Sequence, residues 1–467
     1  MGHRRQARIT RRWRIAVLVA SLVAPLGLSC GNPAPQKDAS AGSDVATGRP
    51  DGGVAASLIP YRLGFTGAAA LPGNDPVKAQ QVLATLGYAT DREYFAAVEG
   101  HMRALSAPMS RVHFMYVGGG SFVGTDAGLT RVMGAGHDRY GCINPVPPAE
   151  SLDEGFEAAL SELVRAHPEM THWQIGNEPD LLWKDHTRFA PFFARAQPVV
   201  RAACPSCKIL LAGISNQYDT NSDSYQRYDA MLASLAAAKL TGRAFDVFDF
   251  HYYKESPSRQ EITGAARSYR ALLEKHHLAD GVSFWCTETG LYTGDPEGPQ
   301  MGPRSEEDQA ADLARLVAWM GEAGVERIYN WTLIEGSSGL GVAGFFDGMG
   351  LIYDGLGWEA ASGPPANTRK RAYATFGLLA EALRDTGPVT RPADGVYRFD
   401  GKAGPVFIVW AEAGGTSVSL DGLTTQQVRL RDLVPDAQGQ TSEQVLSVKQ
   451  GEVNVPVGPA PRLVTPM

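Results

Sequence analysis

The amino-acid sequence predicts an α/β protein: a (β/α)8 TIM barrel followed by a small antiparallel β-sandwich. Three observations carry that expectation. Between Tyr61 and Arg384, short apolar runs alternate with longer segments of helical spacing, the pattern of parallel strands joined by crossover helices. The runs recur at barrel spacing: 266 residues from Gly64 to Asn330 make seven units of about 38, and 110 residues from Glu178 to Glu288 make three of about 37. After Gly387 the helical period stops, and short β-rich runs separated by turns take over. An open doubly wound sheet would share the alternation, but it gives no reason for carboxylates at two separated strand ends.

Taken in order, the chain starts with a leader. Arg4, Arg5, Arg8, Arg11, Arg12 and Arg14 precede an apolar stretch from Ile15 to Leu28. A transmembrane helix needs about 20 apolar residues, so this stretch is too short and fits a secretory signal. It ends in Leu26-Gly27-Leu28-Ser29-Cys30, which resembles a bacterial lipobox. That resemblance implies lipidation of Cys30; the other reading is a plain signal peptide with an incidental cysteine. Residues 1–29 are therefore expected to be removed. Residues 30–57, rich in Gly, Ala, Ser, Pro and Asp, are expected to be a disordered tether. The protein is expected to be exported to the cell envelope, anchored or secreted.

The barrel is expected over residues 58–388. Its strand candidates are Tyr61–Phe65, Arg111–Val117, His172–Ile175, Lys208–Ala212, Val247–Tyr253, Val282–Cys286 and Arg327–Thr332, with the third strand falling somewhere in the Gly- and Pro-rich residues 118–150. Helices are expected at Asp91–Leu105, Leu152–Ala166, Phe189–Ala203, Tyr225–Leu240, Ile262–His276, Glu306–Ala323 and Thr368–Leu383. The sandwich is expected over 389–467, with runs at Gly395–Phe399, Val406–Ala411, Thr416–Leu420, Gln427–Leu430, Gln444–Val448 and Arg462–Val464. Residues near Val54–Ile59 are a candidate for one more strand.

The composition, 44% hydrophobic and 20% charged over 467 residues, is that of a globular protein with a large core. A net charge of −7 gives no polycationic surface, so nucleic acid is not an expected partner. Export implies an oxidising compartment. Cys204 and Cys207 are expected to form a local disulfide; a zinc site would need a second ligand pair, and none has suitable spacing. Cys142 and Cys286 are expected to be free.

Two strands end in glutamate. Trp173-Gln174-Ile175-Gly176-Asn177-Glu178-Pro179 is an apolar run that Pro179 stops, and Phe284-Trp285-Cys286-Thr287-Glu288-Thr289-Gly290 is another. Strand ends form the rim where barrel active sites lie. A single strand-end glutamate is commonly a loop carboxylate or salt-bridge partner. Two of them at whole-unit spacing point to a catalytic pair. Here residues 60–385 resemble glycoside hydrolase clan A, in which the acid/base follows Asn at the end of strand four and the nucleophile ends strand seven. The attached sandwich is similar to that of several clan members, including the family 39 type.

The resemblance implies a retaining glycosidase acting on an extracytoplasmic carbohydrate, with Glu178 as general acid/base and Glu288 as nucleophile. In such a site one carboxylic acid protonates the leaving oxygen while the other carboxylate attacks the anomeric carbon. Alternation along Phe250-His251-Tyr252-Tyr253 puts His251 and Tyr253 on one face, and the resemblance places both beside the nucleophile; Tyr252 is the alternative if the register differs by one. The resemblance further implies that Asn177 binds a sugar hydroxyl and that Trp331 forms a floor under the sugar. Arg111, or His113 on the same face, is the candidate for orienting the nucleophile. Both catalytic groups are side chains, so no metal or organic cofactor is expected, and a membrane only through the lipid anchor. A carbohydrate-binding protein on a dead barrel and a transglycosylase are the competing readings.

Overall fold

The computed structural model describes residues 58–467 apart from 61, 69–75, 125–137, 146–151, 184–185, 216–219, 239, 241, 296–301, 336–345, 356–363, 413 and 415. The leader, Cys30 and the tether lie outside the described residues. Eight parallel strands close on themselves: β1 Leu63–Thr66, β2 Met109–Gly118, β3 Asp138–Pro145, β4 Met170–Ile175, β5 Lys208–Leu211, β6 Val247–Tyr253, β7 Ser283–Gly290 and β8 Val325–Asn330. β1 pairs with both β2 and β8, which closes the barrel. A short antiparallel strand, Ser121–Gly124, hairpins back onto β2.

The helices between strands are α1 Pro76–Leu86, α2 Asp91–Ala104, α3 Phe156–Ala166, α4 Phe189–Ala203, α5 Asp223–Ala237, α6 Arg259–Lys275, α7 Glu306–Glu322 and α8 Arg371–Ala382. Their starts are written in the sequence. Thr90, Ser222, Ser258 and Ser305 each accept the backbone N–H three residues on, and Ser305 with Asp308 completes a capping box. α1 was not among the expected helices, and among the described residues no helix follows β2. Cys204 and Cys207 are disulfide-bonded in the turn between α4 and β5, and Cys142 and Cys286 are free and buried.

The barrel interior is filled in layers, as closure of eight strands requires. At the bottom lie Met109, Tyr140, Leu210, Val247, Trp285 and Tyr329, one from each of six strands. Two residues further along β2, β3, β6 and β7 come Arg111, Cys142, Asp249 and Thr287, joined by Gln174 of β4, all nearly or fully buried. The polar character of this second layer sets up the site above it.

The C-terminal strands are β9 Thr386–Ala393, β10 Val396–Gly401, β11 Gly404–Val409, β12 Ser417–Leu420, β13 Gln427–Asp432, β14 Glu443–Ser447, β15 Val453–Pro456 and β16 Arg462–Pro466. Six form one antiparallel sheet in the order β9-β10-β11-β16-β13-β14, and β12 pairs with β15 in a second. Alternation decides which way each residue faces. Tyr397, Phe399, Ile408 and Leu463 join the barrel's core, whereas Val396, Phe407, Val409 and Val464 join a second core with Leu420, Val453 and Val455 of the small sheet. The sandwich is thus bolted to the barrel by one of its own faces. Trp319 of α7 donates to the Tyr397 hydroxyl at 3.0 Å, and Tyr397 stacks on Trp410. Arg62, buried just before β1, bonds Thr386 and Gly387. The added strand expected near Val54–Ile59 reduces, among the described residues, to one bridge between Ile59 and Thr386.

Candidate active site

β4 ends at Ile175, and the chain then turns sharply. Gly176 has φ +84°, and a Cβ there would lie 2.5 Å from the Phe189 ring. Only glycine fits both demands. Glu178 follows with φ +38°, an uncommon backbone for a non-glycine residue. Its N–H is tied to the Gly213 carbonyl at 3.1 Å, and Pro179 opens a single helical turn, Pro179–Leu182. This fixed turn aims the Glu178 side chain over the barrel mouth.

Glu288 reaches the same point by a different device. Along β6 and β7, Asp249 pairs with Trp285 and Phe250 with Cys286, but His251 pairs with Glu288. Thr287 is the extra residue of a bulge, which re-aims side chains. Thr287 and Glu288, neighbours that a regular strand would send to opposite faces, therefore both meet partners on β6. Thr287 Oγ1 donates to Asp249 at 2.6 Å, and Glu288 accepts from the Tyr253 hydroxyl at 3.0 Å.

The two glutamates meet around one imidazole. His251 Nδ1 lies 2.7 Å from Glu178 Oε1 and 3.5 Å from Glu288 Oε2. One ligating atom from each of Glu178, His251 and Glu288 falls within 4.8 Å of the others. Of these atoms His251 Nδ1 and Glu178 Oε1 are hydrogen-bonded, and Glu288 is engaged by Arg111 and Tyr253. Arg111 is fully buried. From early in β2 it spans the second layer, with one nitrogen on Glu288, another on Asn177 Oδ1, and Cys142 Sγ at 3.3 Å. The Asn177 carbonyl is thereby committed, leaving its NH2 as the end that a ligand can accept from.

Charge follows from this packing. Burial alone would push the Glu288 carboxyl up, but His251 and Arg111 beside it hold it below the usual carboxylate range. Burial alone would pull His251 down, yet the charges of Glu288 and Glu178, with hydrogen bonds to Asp249 and Glu178, raise it well above an ordinary histidine. His113, on the same face of β2, is pushed down to about 3 by burial and by Arg111. Burial and the charge of Glu288 keep the Tyr253 phenol protonated.

The structure brings Glu178, Glu288, Asn177, His251, Tyr253 and Arg111 into this one cluster, with His113 at its side. Tyr252 packs the other way, with its hydroxyl 3.4 Å from Glu261 of α6. Trp331 lies one residue past β8, its ring over Gly67, where a Cβ would touch it at 3.0 Å. The Trp331–Thr332 peptide is cis. Phe346 packs edge-on against both Trp331 and Tyr253, so the three rings form one wall of the mouth. Behind that wall, the buried Lys370 amine binds Glu335, Thr293 Oγ1 at 2.8 Å and the Gly348 carbonyl at 2.8 Å. That clamp joins the segments after β7 and β8 to the start of α8.

Sequence reasoning missed Asp249, Thr287 and Asp180. Asp249 was available from alternation, since it shares the face of His251 and Tyr253. Thr287 was hidden by the bulge. Asp180 is buried beside the cluster, accepting the N–H of Ser215 at 3.1 Å and its hydroxyl at 2.5 Å. Burial, added to by the charge of Glu178, raises Asp180 to about 7. The folded state thus holds this proton more tightly than the unfolded chain. Its stabilisation is complete below about pH 4 and lost as pH climbs through about 7. Asp180→Asn is expected to remove that slope, on the order of 4 kcal/mol between these limits and about 3 kcal/mol of it above pH 5. Urea unfolding at pH 5 and pH 8 measures it; equal losses in both proteins would show that Asp180 is not the source.

No protein-family model matches the sequence, and no curated protein is similar to it. Solved structures share its fold. One is a family 39 glycoside hydrolase from Bacteroides cellulosilyticus WH2, at 15% identity and TM-score 0.59 over 88% of this chain and 81% of that one. A glucosidase from Croceicoccus marinus gives 14% and 0.60 over 88% and 96%. An α-L-arabinofuranosidase from Thermotoga maritima gives 11% and 0.52 over 88% and 97%. At such identities the likeness is one of architecture: a closed eight-stranded parallel barrel carrying a β-sandwich is the fold this chain shares with glycoside hydrolases.

Proposed function

We propose that the protein is a retaining glycoside hydrolase that cleaves an O-glycosidic bond in an extracytoplasmic oligo- or polysaccharide. One observation carries the reading: a carboxylate after β4 and one on β7 approach within 4.8 Å across the barrel mouth. Retaining enzymes hold their carboxyl groups about 5–5.5 Å apart, whereas inverting ones leave roughly 6.5–9.5 Å for a water. Two buried donors, Arg111 and Tyr253, fix Glu288, which suits an ionised nucleophile. Glu178 then protonates the departing oxygen, and Glu288 bonds the anomeric carbon. Once the charge of Glu288 is consumed in that bond, Glu178 takes a proton from water, whose oxygen bonds the anomeric carbon as the bond to Glu288 breaks and the sugar leaves. The aromatic wall of Tyr253, Phe346 and Trp331 offers apolar faces to a pyranose or furanose. A protein that only bound sugar would have no use for the uncommon backbone at Glu178 or for the shared imidazole.

The experiment is a hydrolysis screen against aryl glycosides and polysaccharides, followed by labelling with a 2-fluoro glycoside of the sugar that is cleaved. The label should sit on Glu288 by peptide mass spectrometry. Inversion at the anomeric carbon, or a label elsewhere, would end the reading. The leader supports a lipid anchor at Cys30. Labelled fatty acid fed to the producing cells should enter the wild-type protein and not Cys30→Ser; equal labelling of both would remove the anchor. Among the described residues, no helix is long and apolar enough to cross a membrane.

A further inference from the structure

The polar layer beneath the two glutamates contains a donor–acceptor chain that decides where the protons of His251 sit. Asp249 is fully buried on β6. It accepts the Thr287 backbone N–H at 3.0 Å on Oδ1, and the Gln174 amide at 3.0 Å and the Thr287 hydroxyl at 2.6 Å on Oδ2. A hydroxyl has one proton, and here it is committed to Asp249. What Thr287 Oγ1 offers to His251 Nε2, 3.4 Å away, is a lone pair. The other group facing Nε2, Asp249 Oδ2 at 3.7 Å, is also an acceptor. Nε2 is satisfied only as N–H. Gly213 packs closely against this gap, since a Cβ there would lie 2.6 Å from both Asp249 Oδ2 and His251 Nε2.

We propose that Asp249, acting through Thr287, locks His251 in the Nε2–H form, so that its Nδ1 is a second station for the proton that Glu178 donates. The role of Glu178 in that statement rests on the glycosidase reading; the lock does not. In one state the proton is on Nδ1, giving an imidazolium against the Glu178 carboxylate. In the other the Nδ1–H bond breaks and an O–H bond forms on Glu178 Oε1, 2.7 Å away, giving a neutral imidazole and a carboxylic acid. No proton is gained or lost by the pair. A sugar oxygen arriving at Glu178 draws the proton across. The groups around His251 fit the exchange: Glu178 after β4, Glu288 and Thr287 on β7, Asp249 and Tyr253 on β6, Arg111 and His113 on β2. Asp249 and Thr287 are positioning residues in this scheme.

The test reads the tautomer directly, without substrate. Full-length protein labelled with 15N-histidine is titrated by two-bond proton–nitrogen spectroscopy, and the His251 signals are those absent from His251→Gln. The lock predicts that Nε2 keeps its proton throughout and that Nδ1 is the nitrogen that moves with pH. Asp249→Asn is the sharper arm. It turns an NH2 towards Thr287 Oγ1, which frees the hydroxyl proton to point at Nε2. The neutral tautomer should then switch to Nδ1–H, which closes the second station. With an active substrate in hand, the same variant should lose roughly 10²-fold in kcat with KM little changed. Thr287→Ser should keep the wild-type spectrum and pH profile, whereas Thr287→Val leaves Asp249 Oδ2 as the acceptor facing Nε2 and should weaken the Nε2–H preference without reversing it. It replaces Asp249→Asn if that variant does not fold, and a neutral His251 protonated on Nδ1 in wild type or an unchanged preference in Thr287→Val then counts against the lock. A neutral wild-type His251 protonated on Nδ1, or an unchanged tautomer in a folded Asp249→Asn, overturns the proposal. The predicted tautomers without any hydrolysis would instead sink the glycosidase reading and leave the lock standing.

Discussion

Glu288→Gln is expected to abolish hydrolysis of every glycoside that the wild-type protein cleaves, with kcat down by roughly 10⁵-fold or more. The reason is not only that an amide is a poor nucleophile. Glu288 is held by two donors, Arg111 on Oε1 and Tyr253 at 3.0 Å on Oε2. Arginine can only donate, so the single oxygen of the glutamine must face Arg111. The NH2 then faces Tyr253, whose hydroxyl can turn to accept it. The variant therefore keeps its packing and presents an NH2 beside the sugar where a carboxylate oxygen stood. Single-turnover kinetics on the aryl glycoside should show no burst, and the 2-fluoro glycoside should leave the protein unlabelled. Residual activity above about 1% of wild type would remove Glu288 from the nucleophile's role. Its depressed carboxyl also predicts the acid side of the wild-type profile: kcat/KM should hold steady as pH falls through the ordinary glutamate range and decline only below it.

The barrel was legible because its strands are short apolar runs cut off by polar residues, and the distances between those cuts are whole units. The ends carrying Glu178 and Glu288 were the clearest of all, since Pro179 and Gly290 close them. Parity along β6 was legible too: it separated Tyr253, facing the barrel axis, from Tyr252, facing α6. Three kinds of feature stayed hidden. The first is reach. Nothing in the spacing of β2 says that the Arg111 side chain crosses the second layer to touch Glu288 and Asn177. The second is register. The bulge at Thr287 exists only in the pairing of β6 with β7, so the sequence of β7 alone suggests that Thr287 faces away from Glu288's partners. The third is masking by proline. The edge strand Thr386–Ala393 holds Pro388 and Pro392, which read as breakers, although a sheet edge tolerates them. Likewise, the third strand, Asp138–Pro145, ends in a proline and follows a glycine-rich stretch, and only its pairing with both neighbours along the barrel reveals it.

Glu178→Gln should fail differently, and the difference separates acid/base from nucleophile. A glutamine cannot give a proton to the leaving oxygen, so glycosides with poor leaving groups should lose about 10²–10⁴-fold. A dinitrophenyl glycoside departs without protonation, and its first step should stay close to the wild-type rate. Glu288 is untouched, so the glycosyl-enzyme forms and then waits, because no base activates water. The expected record is a burst of one dinitrophenol per protein followed by a slow steady state, with an apparent KM far below wild type. Azide needs no base, so added azide should restore the steady rate and yield a glycosyl azide that retains the starting configuration. Glu288→Gln should show neither the burst nor the rescue. The environment of Glu178 favours this outcome over a general collapse of the site. Its position is set by the backbone turn at Gly176–Pro179 and the bond from its N–H to Gly213, neither of which depends on the carboxylate. The glutamine can offer its oxygen or its NH2 to His251 Nδ1, whichever the imidazole requires. Loss of the burst with the dinitrophenyl substrate would mean that Glu178 supports the first step by some means other than proton donation. The division of labour between the two glutamates would then have to be redrawn.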